Sequence, residues 1–163
     1  MNSLRSTRTE RVHLGPALRR AWVGYQRRLD DEMRAAGFGD RGFPDGRVLR
    51  MCRAAPTTIS QIGRELGITR QGASKVVGVL RDRGYVTVEP SATSGREKAV
   101  MVTPRATEYL AAQRAAARRI ERRLRRAVGD HAFDALESLL DELGGDEQPR
   151  LRDYLRQMGV RDL

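Results

Sequence analysis

Residues 57–80, TTISQIGRELGITRQGASKVVGVL, set two short amphipathic segments about three residues apart, with a glycine between them. In the first, Ile59, Ile62 and Leu66 recur at helical spacing, with Thr58 placed to cap the start. Gly67 falls just past the helix end, where a left-handed residue is wanted, and Thr69 is placed to cap the next helix. Few arrangements satisfy two short helices joined so tightly, and helix-turn-helix spacing is one of them. In the second segment Ala73, Val76, Val77 and Leu80 form one apolar stripe, while Gln71, Ser74, Lys75 and Gly78 form the opposite face. Each interior glycine costs a helix about 1 kcal/mol relative to alanine. Gly72 and Gly78 are therefore expected to keep the outer face flat, free of large apolar side chains, so that it can enter a major groove. Taken alone, this face reads equally well as an ordinary solvated helix surface.

The flanking residues shift that balance. YVTVEP (85–90) and KAVMVT (98–103) alternate as strands do, and the turn SATSGRE between them carries Arg96. Two helices followed by such a hairpin make a winged helix, whose basic tip suits a narrow minor groove. Ahead of it, Leu14, Leu18, Trp22, Tyr25, Leu29 and Met33 share one helical face, which the glycine-rich run 35–46 terminates. Residues 47–54 predict a short helix with Cys52 as a small core residue. After Pro104 a long helix is expected to about 128, with Ala106, Leu110, Ala117, Ile120, Leu124 and Val128 as its stripe. Its other faces are rich in arginine, whereas residues 130–147 hold seven acidic residues and no Lys or Arg. This contrast predicts a charge-complementary antiparallel hairpin, its second helix turning Phe133, Leu136, Leu139, Leu140 and Leu143 to one side. A last short helix is expected at 149–158.

The fold class expected is mainly α with a small β-hairpin wing (α+β). A flexible arm spans 1–12, a helical dimerisation region takes 13–36 and 104–163, and the winged helix-turn-helix takes 46–103. The formal net charge of +10 favours a polyanionic partner such as nucleic acid, although an arginine-rich composition gives the same sign. One cysteine excludes an internal disulfide. Neither a signal-peptide core nor an apolar run of membrane-spanning length is present, so a cytoplasmic protein without a membrane partner is expected. His13 and His131 have no partners at metal-ligand spacing, and no phosphate loop or nucleophile elbow is present. An enzyme, a metal site or a cofactor is therefore not expected.

TTISQIGRELGITRQGASKVVGVLRDRGYV is similar to the DNA-binding helices of the MarR family of bacterial transcription regulators, and SGREKAVMVTPRA looks like that family's wing. The resemblance covers roughly 14–143. Ser94 stands where the family usually has an aspartate that helps orient the wing arginine, and Ala106 where glycine is common. The resemblance implies a homodimer that binds double-stranded DNA at a pseudo-palindromic operator, acting as a repressor. The DNA-contacting set expected is Thr58, Ser60, Thr69, Arg70, Gln71, Ser74, Lys75, Gly78, Ser94, Arg96 and Lys98. Family members often bind small aromatic or phenolic ligands between the dimer region and the winged helix. Trp22 and Tyr25 are the residues for such a cleft here, though their place on an apolar stripe favours core packing. The alternative function is a non-specific or architectural basic DNA-binding protein.

Overall fold

The computed structural model describes residues 13–42, 44–90 and 98–145. The expected arm at 1–12, the wing-tip residues Ser94 and Arg96, and the helix at 149–158 lie outside the described residues. Six helices and three short strands follow in the order α1 (Leu14–Ala35), α2 (Asp45–Ala54), β1 (Thr57–Thr58), α3 (Ile59–Leu66), α4 (Arg70–Asp82), β2 (Val86–Pro90), β3 (Lys98–Val102), α5 (Pro104–Val128) and α6 (Asp130–Gly144). The chain is mainly α with a small antiparallel sheet of order β1-β3-β2, the winged-helix arrangement.

The sheet has one more strand than the sequence suggests. Thr57 and Thr58 pair with Val100 and Ala99, so the residue that caps α3 also closes the sheet edge. Two residues carry no alternation that could reveal a strand. On β2 and β3, Val86 and Val100 are buried and Val88 and Val102 half-buried, as their alternation predicts.

One core joins the winged helix to the flanking helices. Ile62, Leu66, Ala73, Val77 and Leu80 from α3 and α4 meet Val48, Leu49 and Cys52 from α2 and Leu110 and Ile120 from α5. Burial pushes the Cys52 thiol up to about 11, as befits a packing residue. At the junction Tyr85 and Tyr109 are both fully buried, their rings edge-on with centroids 5.2 Å apart, and Phe38 stands edge-on to Tyr109 at 5.5 Å. Tyr109 is missing from the stripe expected along α5, although its place three residues after Ala106 puts it on the same buried face.

The long helices depart from expectation in what covers them. On α1 only Leu29 and Met33 are buried, while Leu14 and Trp22 stand open. On α5 Ala106, Leu110 and Ile120 are buried, but Leu124 is 39% and Val128 55% exposed. On α6 Phe133 alone is buried, and Leu136, Leu139, Leu140 and Leu143 are exposed. The α5–α6 hairpin forms, but the arginine run does not zip along it. Among the described residues a single arginine, Arg125, bridges to α6, reaching Asp134 at 2.7 Å, Glu137 at 3.2 Å and Asp130 at 3.5 Å, with its guanidinium 4.3 Å from the centre of the Phe133 ring. Arg119 and Arg123 turn instead to Glu32 of α1, at 2.6 and 2.7 Å. Hydrogen bonding from Arg119 is the main reason the Glu32 carboxyl lies below the usual glutamate range.

Candidate nucleic-acid interface

α3 and α4 are held by local chemistry that the sequence states openly. The Thr58 hydroxyl accepts the Gln61 N–H at 3.2 Å, and the Gln61 side-chain oxygen accepts the Thr58 N–H at 2.8 Å, a reciprocal capping box. Gly67 ends α3 at φ 69°, a left-handed conformation that glycine adopts without steric cost. The Thr69 hydroxyl then accepts the Gly72 N–H at 3.0 Å and starts α4. Gly63 is the tight point of the turn, and sequence reading missed it. A Cβ there would stand 3.2 Å from the Ile68 carbonyl oxygen and 3.5 Å from Ala73 Cβ. Its only sequence signal is a glycine between Ile62 and Leu66 on the inner side of α3.

The outer face of α4 presents Arg70, Gln71, Ser74 and Lys75 to solvent. These are flexible cations, an amide and a hydroxyl, the donors and acceptors that reach base edges and phosphates. Gly78 is half-buried, and the space its Cβ would occupy is open, with nothing within 4 Å. Two readings of this face need correction. Gly72 is buried and belongs to the capped first turn, so Gly78 alone keeps the outer face low. The face also carries one large apolar side chain, Val79, 45% exposed. Val79 sits one residue outside the 3-4 stripe and was assigned to neither face; the helix rotates it towards the Lys75 side.

The other candidate residues fall into three groups. Thr58 and Thr69 use their hydroxyl oxygens as caps at the base of the interface. Ser60 is half-buried in the first turn of α3. Lys98 is exposed at the start of β3 and paired with Pro90, while Ser94 and Arg96 lie outside the described residues. α4 and the wing strands therefore bring Arg70, Gln71, Ser74, Lys75 and Lys98 to the exterior of one winged unit.

Trp22 and Tyr25 lie apart from this unit on α1. Their rings stack at 6.1 Å with planes 16° apart. Tyr25 is half-buried, and burial raises its hydroxyl pKa above the ordinary value, aided by the Glu121 carboxylate. Trp22, at 42% exposed, is not a core residue of this chain, contrary to expectation. A 3-4 stripe shows which side chains share a face; it does not show whether the same chain covers that face. Among the described residues no group of three or more potential ligands could hold a metal ion. No described helix is long and apolar enough to cross a membrane.

Known proteins share this architecture. A sequence model of the MarR family matches residues 41–97. Among solved structures, the transcriptional repressor CouR bound to a 23-mer DNA duplex is 26% identical, with a TM-score of 0.63 over 82% of this chain and 93% of its own. Streptococcus pneumoniae FabT in complex with DNA is 14% identical, with a TM-score of 0.67 over 89% of this chain and 96% of its own. A Mycobacterium tuberculosis MarR family protein in complex with salicylic acid is 22% identical, with a TM-score of 0.58 over 83% of this chain and 98% of its own. No curated protein sequence matches the chain. The family's sequence pattern spans α2 to the wing, and together with the shared fold it makes this chain similar to the MarR family of winged-helix regulators.

Proposed function

We propose that the protein is a homodimeric transcriptional repressor that binds a pseudo-palindromic operator through α4 and the wing. The observation that carries this reading is the outer face of α4. It is the second helix of a helix-turn-helix, with Arg70, Gln71, Ser74 and Lys75 exposed and open space above Gly78. The DNA-bound CouR and FabT, which share this fold, support it. Thr58, Ser60, Thr69 and Lys98 flank that face as backbone-positioning contacts, and Ser94 and Arg96 belong to the same proposed DNA-contacting set.

The dimer reading rests on the uncovered apolar faces. Leu14, Trp22, Leu124, Val128, Leu136, Leu139, Leu140 and Leu143 cluster on α1, α5 and α6, away from the core of their own chain. A second copy covers them, making 13–36 and 104–163 the dimerisation region and 46–103 the DNA-binding unit. A small aromatic or phenolic anion seated beside the Trp22–Tyr25 stack releases the duplex; the salicylic acid complex of the mycobacterial protein is the parallel.

Selection of bound duplexes from a random pool, followed by footprinting, tests the proposal. Two half-sites about one helical turn apart are expected. A dimer making six to ten phosphate contacts should lose on the order of a thousandfold in affinity between 50 and 200 mM salt. Equal affinity for selected and bulk DNA would favour the architectural alternative, and sedimentation as a stable monomer would remove the dimer.

A further inference from the structure

Asp45 is the buried charged residue of this fold among the described residues, and groove contact does not explain it. It opens α2, and one of its oxygens accepts both the Gly42 N–H at 2.7 Å and the Arg83 guanidinium at 3.0 Å. Arg83 is the residue that ends α4. The loop leading into Asp45 is tied in two further directions. Arg41 donates to the Asp30 carboxylate and, at 2.5 Å, to the Gln26 side-chain oxygen, both on α1. Asp40 accepts the Tyr85 hydroxyl at 2.7 Å and pairs with Arg105 of α5 at 3.7 Å. Asp40, Arg41 and Asp45 thus link α1, the end of α4 and the start of α5 through charged, directional contacts.

Stability does not call for this arrangement. Desolvation is the largest influence on Asp45 and raises its carboxyl pKa, so its partners do not fully offset the cost of burial. Apolar residues of similar volume commonly replace a buried ion pair at no loss of stability. Hydrophobic packing is non-directional, however, whereas a forked guanidinium and a carboxylate fix an angle.

We propose that Asp40, Arg41 and Asp45, together with Arg83, form a polar strut that sets the angle of α4 against α1, and thereby the distance between the two half-sites a dimer can read. Arg41, Asp45 and Arg83 are then positioning residues that make no contact with DNA themselves. The proposal rests on the dimeric DNA-binding reading above. It gives the junction a use distinct from the small-molecule cleft, because it operates in the ligand-free protein.

The test uses full-length protein and a duplex recovered by selection, together with versions carrying one base pair added or removed between half-sites. Each such change shifts the second half-site by about 3.4 Å and about one tenth of a turn. Wild-type protein should bind the altered duplexes at least about tenfold more weakly. Arg41→Lys, which keeps the charge but loses the fork, and Asp45→Asn should bind the native spacing a few-fold more weakly. Their penalty for altered spacing should fall to about threefold or less. Circular dichroism melts and sedimentation confirm folding and dimerisation in the same samples. Variants that fold, dimerise and keep the wild-type spacing penalty overturn the proposal. Failure of both variants to fold also overturns it, because the contacts would then belong to the core. If no duplex is selected, or the wild-type protein is a monomer, the functional reading fails instead, which is a separate result.

Discussion

Gly78→Leu separates the two uses a helix face can have. The Cβ position at Gly78 has nothing within 4 Å and its φ is not positive, so a Cβ is admitted without clash or backbone strain, and a leucine is expected to extend from it into solvent. Replacing an interior helical glycine by a good helix former gains close to 1 kcal/mol. In a protein of this size that corresponds to a rise in Tm of about 2–4 °C. The same substitution projects four carbons from the face proposed to enter the groove, between Ser74 and Asp82. Holding α4 off the base edges weakens the contacts of Gln71 and Ser74 together. A loss of at least about 1.4 kcal/mol is expected, a tenfold rise in Kd. Gly78→Ala adds one carbon and should show nearly the whole stability gain with a smaller binding loss. Differential scanning calorimetry and fluorescence anisotropy on a selected duplex read the two effects in one preparation. Gly78→Leu that melts higher and binds as tightly as wild type refutes the account of the outer face. Gly78→Leu that melts lower refutes the account of the open space.

Gly63→Val should separate α3 from α4, because its Cβ would press within 3.2 Å of the Ile68 carbonyl; about 1–3 kcal/mol of lost stability is expected in denaturant titrations. Among the described residues the buried Tyr109 hydroxyl finds no hydrogen-bond partner, so Tyr109→Phe should be neutral or stabilising by up to about 1–3 kcal/mol; a clear loss in the melt would reveal a partner. Tyr85→Phe removes a 2.7 Å bond to the Asp40 carboxylate and should cost about 1.5–3 kcal/mol in the same measurement. Glu32 titrates below the ordinary glutamate value, so its contribution is full above roughly pH 4.3 and is lost as pH falls through its depressed folded value. The stability difference between wild type and Glu32→Gln, followed from pH 7 to pH 3, should therefore shrink in acid; a constant difference would show that the Arg119 and Arg123 contacts do not act through charge.

Local rules made much of this fold legible. Thr58, Gly67 and Thr69 are capping residues with their own chemistry, so they mark α3 and α4 from sequence alone. Val86 and Val100 mark β2 and β3 by alternation. What stayed hidden depends on neighbours distant in sequence. Thr57 and Thr58 become a strand because Val100 and Ala99 lie alongside, and Tyr109 becomes central because Phe38 and Tyr85 turn towards it. Gly72 and Gly78 look alike in sequence, and only the direction of the first turn of α4 separates them. Gln71, Ser74 and Lys75 are exposed as their helical spacing predicts, but a stripe rule has no place for Val79. The Asp45–Arg83 pair spans 38 positions, and no spacing announces it.

α1 divides lengthwise between two environments: its last turns sit in the core of their own chain, and its first turns leave Leu14 and Trp22 exposed on the face proposed to meet a second copy. A helix shared in this way ties folding to mass action. In a dimer assembled through it, a tenfold rise in protein concentration stabilises the folded state by about 1.4 kcal/mol per dimer, so the melting temperature climbs with dose. Copies not yet assembled into that proposed dimer hold α1 only by its C-terminal half and are the ones most open to proteolysis. In the proposed dimer, abundance sets not only how much protein is present but also what fraction of it is folded, and the response to dose steepens without any allosteric transition.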